Sequence, residues 1–163
     1  MPRGFASDAG IIALMDARDW NRSTGDAMAS ALAAARLRAI RTALINLHKA
    51  VLDAELLRFQ RARGRRIEGP GEALKLALED SAFAWLRPLS ELIVQLDTRL
   101  AEEADVHASE MRGIVTQTRA LLHDAAGGPL FHDAYRRLLQ DAPEVVVAHG
   151  QVTALLADAS PPG

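Results

Sequence analysis

The chain has 163 residues, enough for one domain with a real core, and no cysteine, which removes disulfides, thiolate nucleophiles, cysteine-based zinc sites and iron–sulfur clusters. A formal net charge of −2 argues against general nucleic-acid binding, so nucleic acid is not an expected partner. Hydrophobic residues make up 49% but aromatics only 4%, so the core must be built mostly from Leu, Ala, Ile and Val, a composition that favours helix over sheet.

No stretch approaches the roughly 18 uninterrupted apolar residues of a membrane span, and the run IIALM at 11–15 is too short for a signal-peptide core. A cytoplasmic protein with no membrane partner is the expectation. In chain order, residues 7–20 read as a short helix that Asn21-Arg-Ser-Thr-Gly interrupts. Ser23 followed by Asp26 resembles a capping box, and nothing then breaks the pattern until Gly64. The run of about 40 residues between them would span about 60 Å as a helix. Ala33, Leu37, Ile40, Leu44, Leu47, Val51 and Ala54 form its buried stripe, with Ile45, Leu52 and Phe59 beside it.

GRRIEGPG at 64–71 reads as a connector and 71–79 as a short helix. A second long helix is predicted over about 82–125, with Pro88 in or near its first turn. Its stripe runs Leu89, Ile93, Leu96, Leu100, Glu103, His107, Met111, Ile114, Thr118 and Leu121, and the Gly127-Gly128 pair ends it. Two further helices follow. Leu130, Ala134 and Leu138 mark the first, Asp141 caps the second ahead of Pro143, and the SPPG tail is left out of both.

Charge is unevenly spread. Residues 36–66 hold nine bases (Arg36, Arg38, Arg41, Lys49, Arg58, Arg61, Arg63, Arg65, Arg66) against Asp53 and Glu55, whereas 67–110 hold ten acids against Lys75, Arg87 and Arg99. Folded back on each other, the arms place 58–66 beside Glu79, Asp80 and Glu91, and 36–41 beside 102–110. RFQRARGRR is therefore read as a helix C-terminus facing an acidic arm rather than as a phosphate patch.

His48 and Glu55, seven apart, share a helix face, and Glu103 and His107, four apart, share another. Carboxylate-bridged metal bundles use Glu-x-x-His pairs from facing helices, a spacing missing here. Glu103 and His107 are thus only an alternative metal pair, and His107 with Met111 a still poorer haem pair. His123 and His132 read as surface residues. No nucleophile elbow, P-loop, dinucleotide fingerprint, HExxH or EF-hand loop is present. The expected protein is therefore non-catalytic and needs no cofactor.

The most distinctive words are LINLHKAVLDAE and FAWLRPLSELIVQLD, about thirty residues apart. Trp85, Arg87 and Glu91 in the second form a candidate binding corner with His48 and Glu55. In the purely structural reading Trp85 closes the end of the bundle, stacking on an arginine, while Arg87 pairs with Glu55. Residues 44–98, including the connector GRRIEGPGE, resemble a family of small uncharacterised bacterial helical proteins. The resemblance implies a bacterial, cytoplasmic protein whose hairpin tip is its characteristic part, and it carries no activity.

The sequence thus predicts one all-α domain over 1–163, a helical bundle built on a long antiparallel two-helix hairpin with shorter flanking helices. The flanking segments are too short to cover both arms, and exposed apolar surface costs about 25 cal/mol per Å², so a homodimer is expected. The predicted function is a binding or regulatory module. The alternative is a small metal- or ligand-binding bundle using inward His and Glu residues.

Overall fold

A computed structural model describes residues 17–102 and 105–159. Among them there are six α-helices and no strands: α1 (Ala17–Arg63), α2 (Pro70–Glu79), α3 (Arg87–Ala101), α4 (Ala108–His123), α5 (Gly128–Asp141) and α6 (Pro143–Asp158). Short 3-10 turns at Ser81–Leu86 and Ala125–Gly127 lead into α3 and α5. The all-α class follows, and none of the described helices is long and apolar enough to cross a membrane.

α1 runs 47 residues without a break at 21–25. Asn, Ser and Thr each cost a few tenths of a kcal/mol in a helix and Gly about 1 kcal/mol, too little to interrupt a cooperative run already propagating on both sides. Part of the predicted first helix, 7–16, lies outside the described residues, and its described remainder is continuous with α1. The helix stops where expected, at Gly64, whose φ of 61° only glycine adopts without strain.

The predicted stripe is the spine of the core. Leu37, Ile40, Leu44, Leu47, Val51 and Ala54 are buried, and Ala33 is partly so. Each fully buried Leu or Val there contributes about 2 kcal/mol of apolar burial. Ile45, by contrast, is exposed, so the second stripe is narrower than its pattern suggested.

α3 runs antiparallel to α1. Arg41 pairs with Asp97, His48 with Ser90 and Phe59 with Phe83, so successive contacts climb one helix while descending the other. The predicted second arm is not continuous, however: α3 ends at Ala101 and α4 begins at Ala108. In an unbroken helix the next inward position after Leu96 and Leu100 would be Glu103, a carboxylate aimed at the core. The chain turns instead and places Val106 in the core, 4% exposed.

α1 gains a second major neighbour in α6. Arg36 and Asp158 line one end of their shared groove and Asn46 and Gln151 the other, so this pairing is antiparallel too. α6 starts at Pro143, one residue later than the predicted Asp141 cap implies: its N-cap is Ala142, and Asp141 is the last residue of α5. On α5 the buried face is Phe131, Tyr135 and Leu138, turned one residue from the predicted one, and it leaves Leu130 exposed. Every buried side-chain polar atom among the described residues has a hydrogen-bond partner.

The predicted facing of 36–41 with 102–110 is shifted in register: Arg41 pairs across the helices with Asp97 instead, and it is the Ser30 hydroxyl that bonds the Asp105 carboxylate, at 3.0 Å. Most other ion pairs are local: Arg58 with Glu55, Lys49 with Asp53, Arg65 with Glu72, and Arg99 with Glu102 and Glu110. Long side chains pair with what the backbone has already brought within reach, and exposed pairs of this kind contribute at most about 1 kcal/mol.

Candidate functional site

Three polar constellations bear on the predicted site. The first joins α1 and α3. His48 Nε2 lies 2.9 Å from the Ser90 hydroxyl, which also reaches the Leu86 carbonyl at 3.4 Å. Burial lowers the His48 pKa below 6.5, so the ring is neutral at pH 7. Ser90 lies in the first turn of α3, and Glu55 is engaged by Arg58 rather than by His48. The pair is a polar clip between two helices.

Glu55 is 2% exposed. Its carboxylate accepts two hydrogen bonds from Arg58 Nε, at 3.1 and 3.3 Å, and one from Arg58 Nη2 at 3.0 Å. The expected pairing of Glu55 with Arg87 is replaced by this one, because Arg58 is one turn away on the same helix. His48 and Glu55 share a side of α1 but stand about 10 Å apart by helical rise and serve different partners.

The second constellation was not read from the sequence. The buried Tyr135 hydroxyl lies 2.8 Å from His149 Nδ1, and the His123 ring stands edge-on to His149 with centroids 5.2 Å apart. Burial pushes the Tyr135 hydroxyl pKa up, so the phenol keeps its proton in its hydrogen bond with His149 Nδ1. His149 in turn has Thr153 Oγ1 3.5 Å from its Nε2. Burial first, and the neighbouring His123 second, lower its pKa. His123 is exposed as expected, yet it belongs to this cluster. The only advance signal was a Tyr and a His on opposite sides of a helix break at Pro143.

The third is a groove of about 510 Å³ at the corner where α1, the Ser81–Leu86 turn, the start of α3 and α5 meet. Trp85, Pro88, Leu130 and Phe131 form its apolar part, and Arg58, Arg87, Asp133 and Arg137 its charged rim. Trp85 is half-buried, packing on Phe131 with centroids 5.9 Å apart at 54° rather than on an arginine. Asp80 holds the turn by accepting a hydrogen bond from the Ala82 amide at 2.9 Å. Gly127 lets α5 close on the groove, because a Cβ there would lie 2.7 Å from the Phe131 ring.

Arg87 is exposed on the rim, and neither it nor Arg137 forms an ion pair among the described residues. Glu91 is exposed on α3 outside the groove. The groove therefore brings Trp85 and Arg87 together with Arg58 and Arg137, and neither His48 nor Glu91 lines it.

Of the alternative metal pair, Glu103 lies outside the described residues. His107 is the exposed N-cap residue of α4. It borders a second hollow of about 1090 Å³ together with Arg38, Arg99 and Asp105. Among the described residues no group of three or more His, Asp or Glu side chains is placed to hold a metal ion. No family model, curated protein or solved structure compared with the chain matches it.

Proposed function

We propose that the chain is a non-catalytic binding module whose working surface is the Trp85 groove, and that its partner group is an anion carried on an apolar body. One observation carries this reading: two arginines without ion pairs, Arg87 and Arg137, rim an apolar groove walled by a half-buried tryptophan. Arg36, Arg38, Arg61, Arg66, Arg112 and Arg136 likewise form no ion pair among the described residues, but none of them lines this groove, and Arg63 lies over the Phe59 ring at 5.1 Å.

A guanidinium matches a carboxylate, sulfonate or phosphate in a two-pronged geometry, and an indole face favours a flat or aliphatic neighbour. The groove volume suits a drug-sized ligand or two or three peptide side chains. A bacterial, cytoplasmic protein that self-associates is part of the same proposal. It is supported by the wording of residues 44–98 and by the exposed leucines Leu74, Leu78 and Leu130.

Anilinonaphthalene sulfonate, an aromatic anion, is the test probe. In dilute protein carrying Trp20→Phe, Trp85 emission should quench saturably as the probe binds. Arg87→Glu combined with Arg137→Glu should weaken binding more than about tenfold, which corresponds to losing at least one charge-assisted contact. Equal affinity in the double variant would remove the groove from consideration.

A further inference from the structure

We infer that the groove's partner is the α2 helix of a second copy of this chain, inserted reciprocally to close a two-fold dimer. The inference rests on the groove reading above and names its occupant.

α2 has no buried residue. Its inner side, through Ala73 and Leu76, packs against the edge of the core. Its outer side presents Leu74 and Leu78, 59% and 76% exposed and one turn apart. Two leucines aligned on a solvent-facing helix are the pattern by which an amphipathic helix enters an apolar groove. Neither leucine lines the groove of its own chain. At the corner between α2 and the groove the Asp80 amide donates to the Leu76 carbonyl at 2.9 Å while the Asp80 carboxylate accepts from the Ala82 amide.

The remaining charges match. On residues 68–80 Glu72 is held by Arg65 and Asp80 by the turn, which leaves Glu68 and Glu79 against Lys75, and on the groove rim Arg58 is held by Glu55, which leaves Arg87 and Arg137 against Asp133. Glu79 is exposed, held only by Lys75 at 4.0 Å, so it is available to the rim arginines of another copy. The leucines would meet Trp85 and the exposed Leu130.

The two surfaces also adjoin, because Glu79 ends α2 and Ser81, two residues on, already lines the groove. A two-fold axis beside Asp80 therefore brings each α2 to the other chain's groove at once. The assembly closes as a dimer instead of growing into a filament, and the reciprocal contact doubles the buried area.

Sedimentation velocity of the full chain over roughly 1 to 100 micromolar tests this. The expected result is a salt-sensitive dimer. Leu78→Glu, at an exposed position, and the Arg87→Glu, Arg137→Glu double variant should each associate more than about tenfold more weakly with unchanged far-UV circular dichroism. An equimolar mixture of the two should recover a heterodimer, since one intact helix still meets one intact groove. The sulfonate probe should bind Leu78→Glu more tightly than the parent at high protein concentration, because the groove is vacated.

A parent chain that stays monomeric throughout, or a dimer that both variants leave intact, overturns the inference. If the probe nonetheless binds and the arginine variant loses it, the groove reading stands and its partner is another anionic molecule. If the arginine variant keeps the probe, both fall.

Discussion

A methyl group at position 127 would come within 2.7 Å of one Phe131 ring carbon and 2.8 Å of another, and 2.8 Å from a Leu121 methyl. Phe131 is 1% exposed and packed between Trp85 and Tyr135, so it has nowhere to move. Gly127→Ala should therefore destabilise the protein by about 1–3 kcal/mol through overpacking, read as a lower midpoint in urea. Its neighbour Gly128 is required for a different reason, a left-handed φ of 83°. The sequence marked the pair as a helix stop, a local matter of backbone freedom. That the first glycine is a spacer for an aromatic ring depended on which face of α5 turned inward, and the pattern Leu130, Ala134, Leu138 pointed one residue away. Glu55 shows the same limit: its place on the inner side of α1 was legible, but its partner Arg58 was chosen by side-chain reach.

At the level of elements, α1 is uneven along its length. Residues 37–56 lie between α3 and α6, whereas 22–29 are exposed on every side. Helix without packing is held by propensity alone, which is marginal in water. Backbone amides at 22–29 should exchange with deuterium roughly two orders of magnitude faster than those at 44–51. Uniform protection along α1 would show that something covers its first turns. The break between α3 and α4 is the other lesson. Apolar periodicity continued through the gap, at Leu96, Leu100, Met111 and Ile114, and hid a helix end. The signal lay in the two polar residues on the stripe, Glu103 and His107, which a continuous helix would have had to bury. The Thr118 hydroxyl, polar on the same stripe, is accommodated by donating to the Ile114 carbonyl at 2.8 Å, an escape open to a hydroxyl but not to a carboxylate.

For the whole molecule, two half-buried histidines, His48 at the α1–α3 contact and His149 at the α5–α6 contact, couple folding to pH. Both have pKa values lowered below 6.5 by burial, so the unfolded chain binds protons more readily than the folded one. Their contribution is fully present above about pH 6.5 and is lost as pH falls through the folded values. The melting temperature should hold steady from pH 8 to 7 and fall from about pH 6.5 towards 5, above the range where Glu110, lowered by its hydrogen bond from Arg99, titrates. Replacing both histidines by Gln should flatten that slope whatever it does to absolute stability; an unchanged slope would assign it to other groups.

Read alone, the sequence determined the helical class, the buried face of α1, the stop at Gly64 and the presence of a short helix after the 64–71 connector. Each depends on backbone geometry or periodicity within a few residues. The tertiary structure alone decided that α6 covers α1 beside α3, that Tyr135 meets His149, and that Arg58, Arg87 and Arg137 converge on Trp85. The reason is physical. Apolar burial has no direction, so a stripe shows that a face is covered but not by what, and convergence of distant side chains depends on interhelix angles set by the whole core at once.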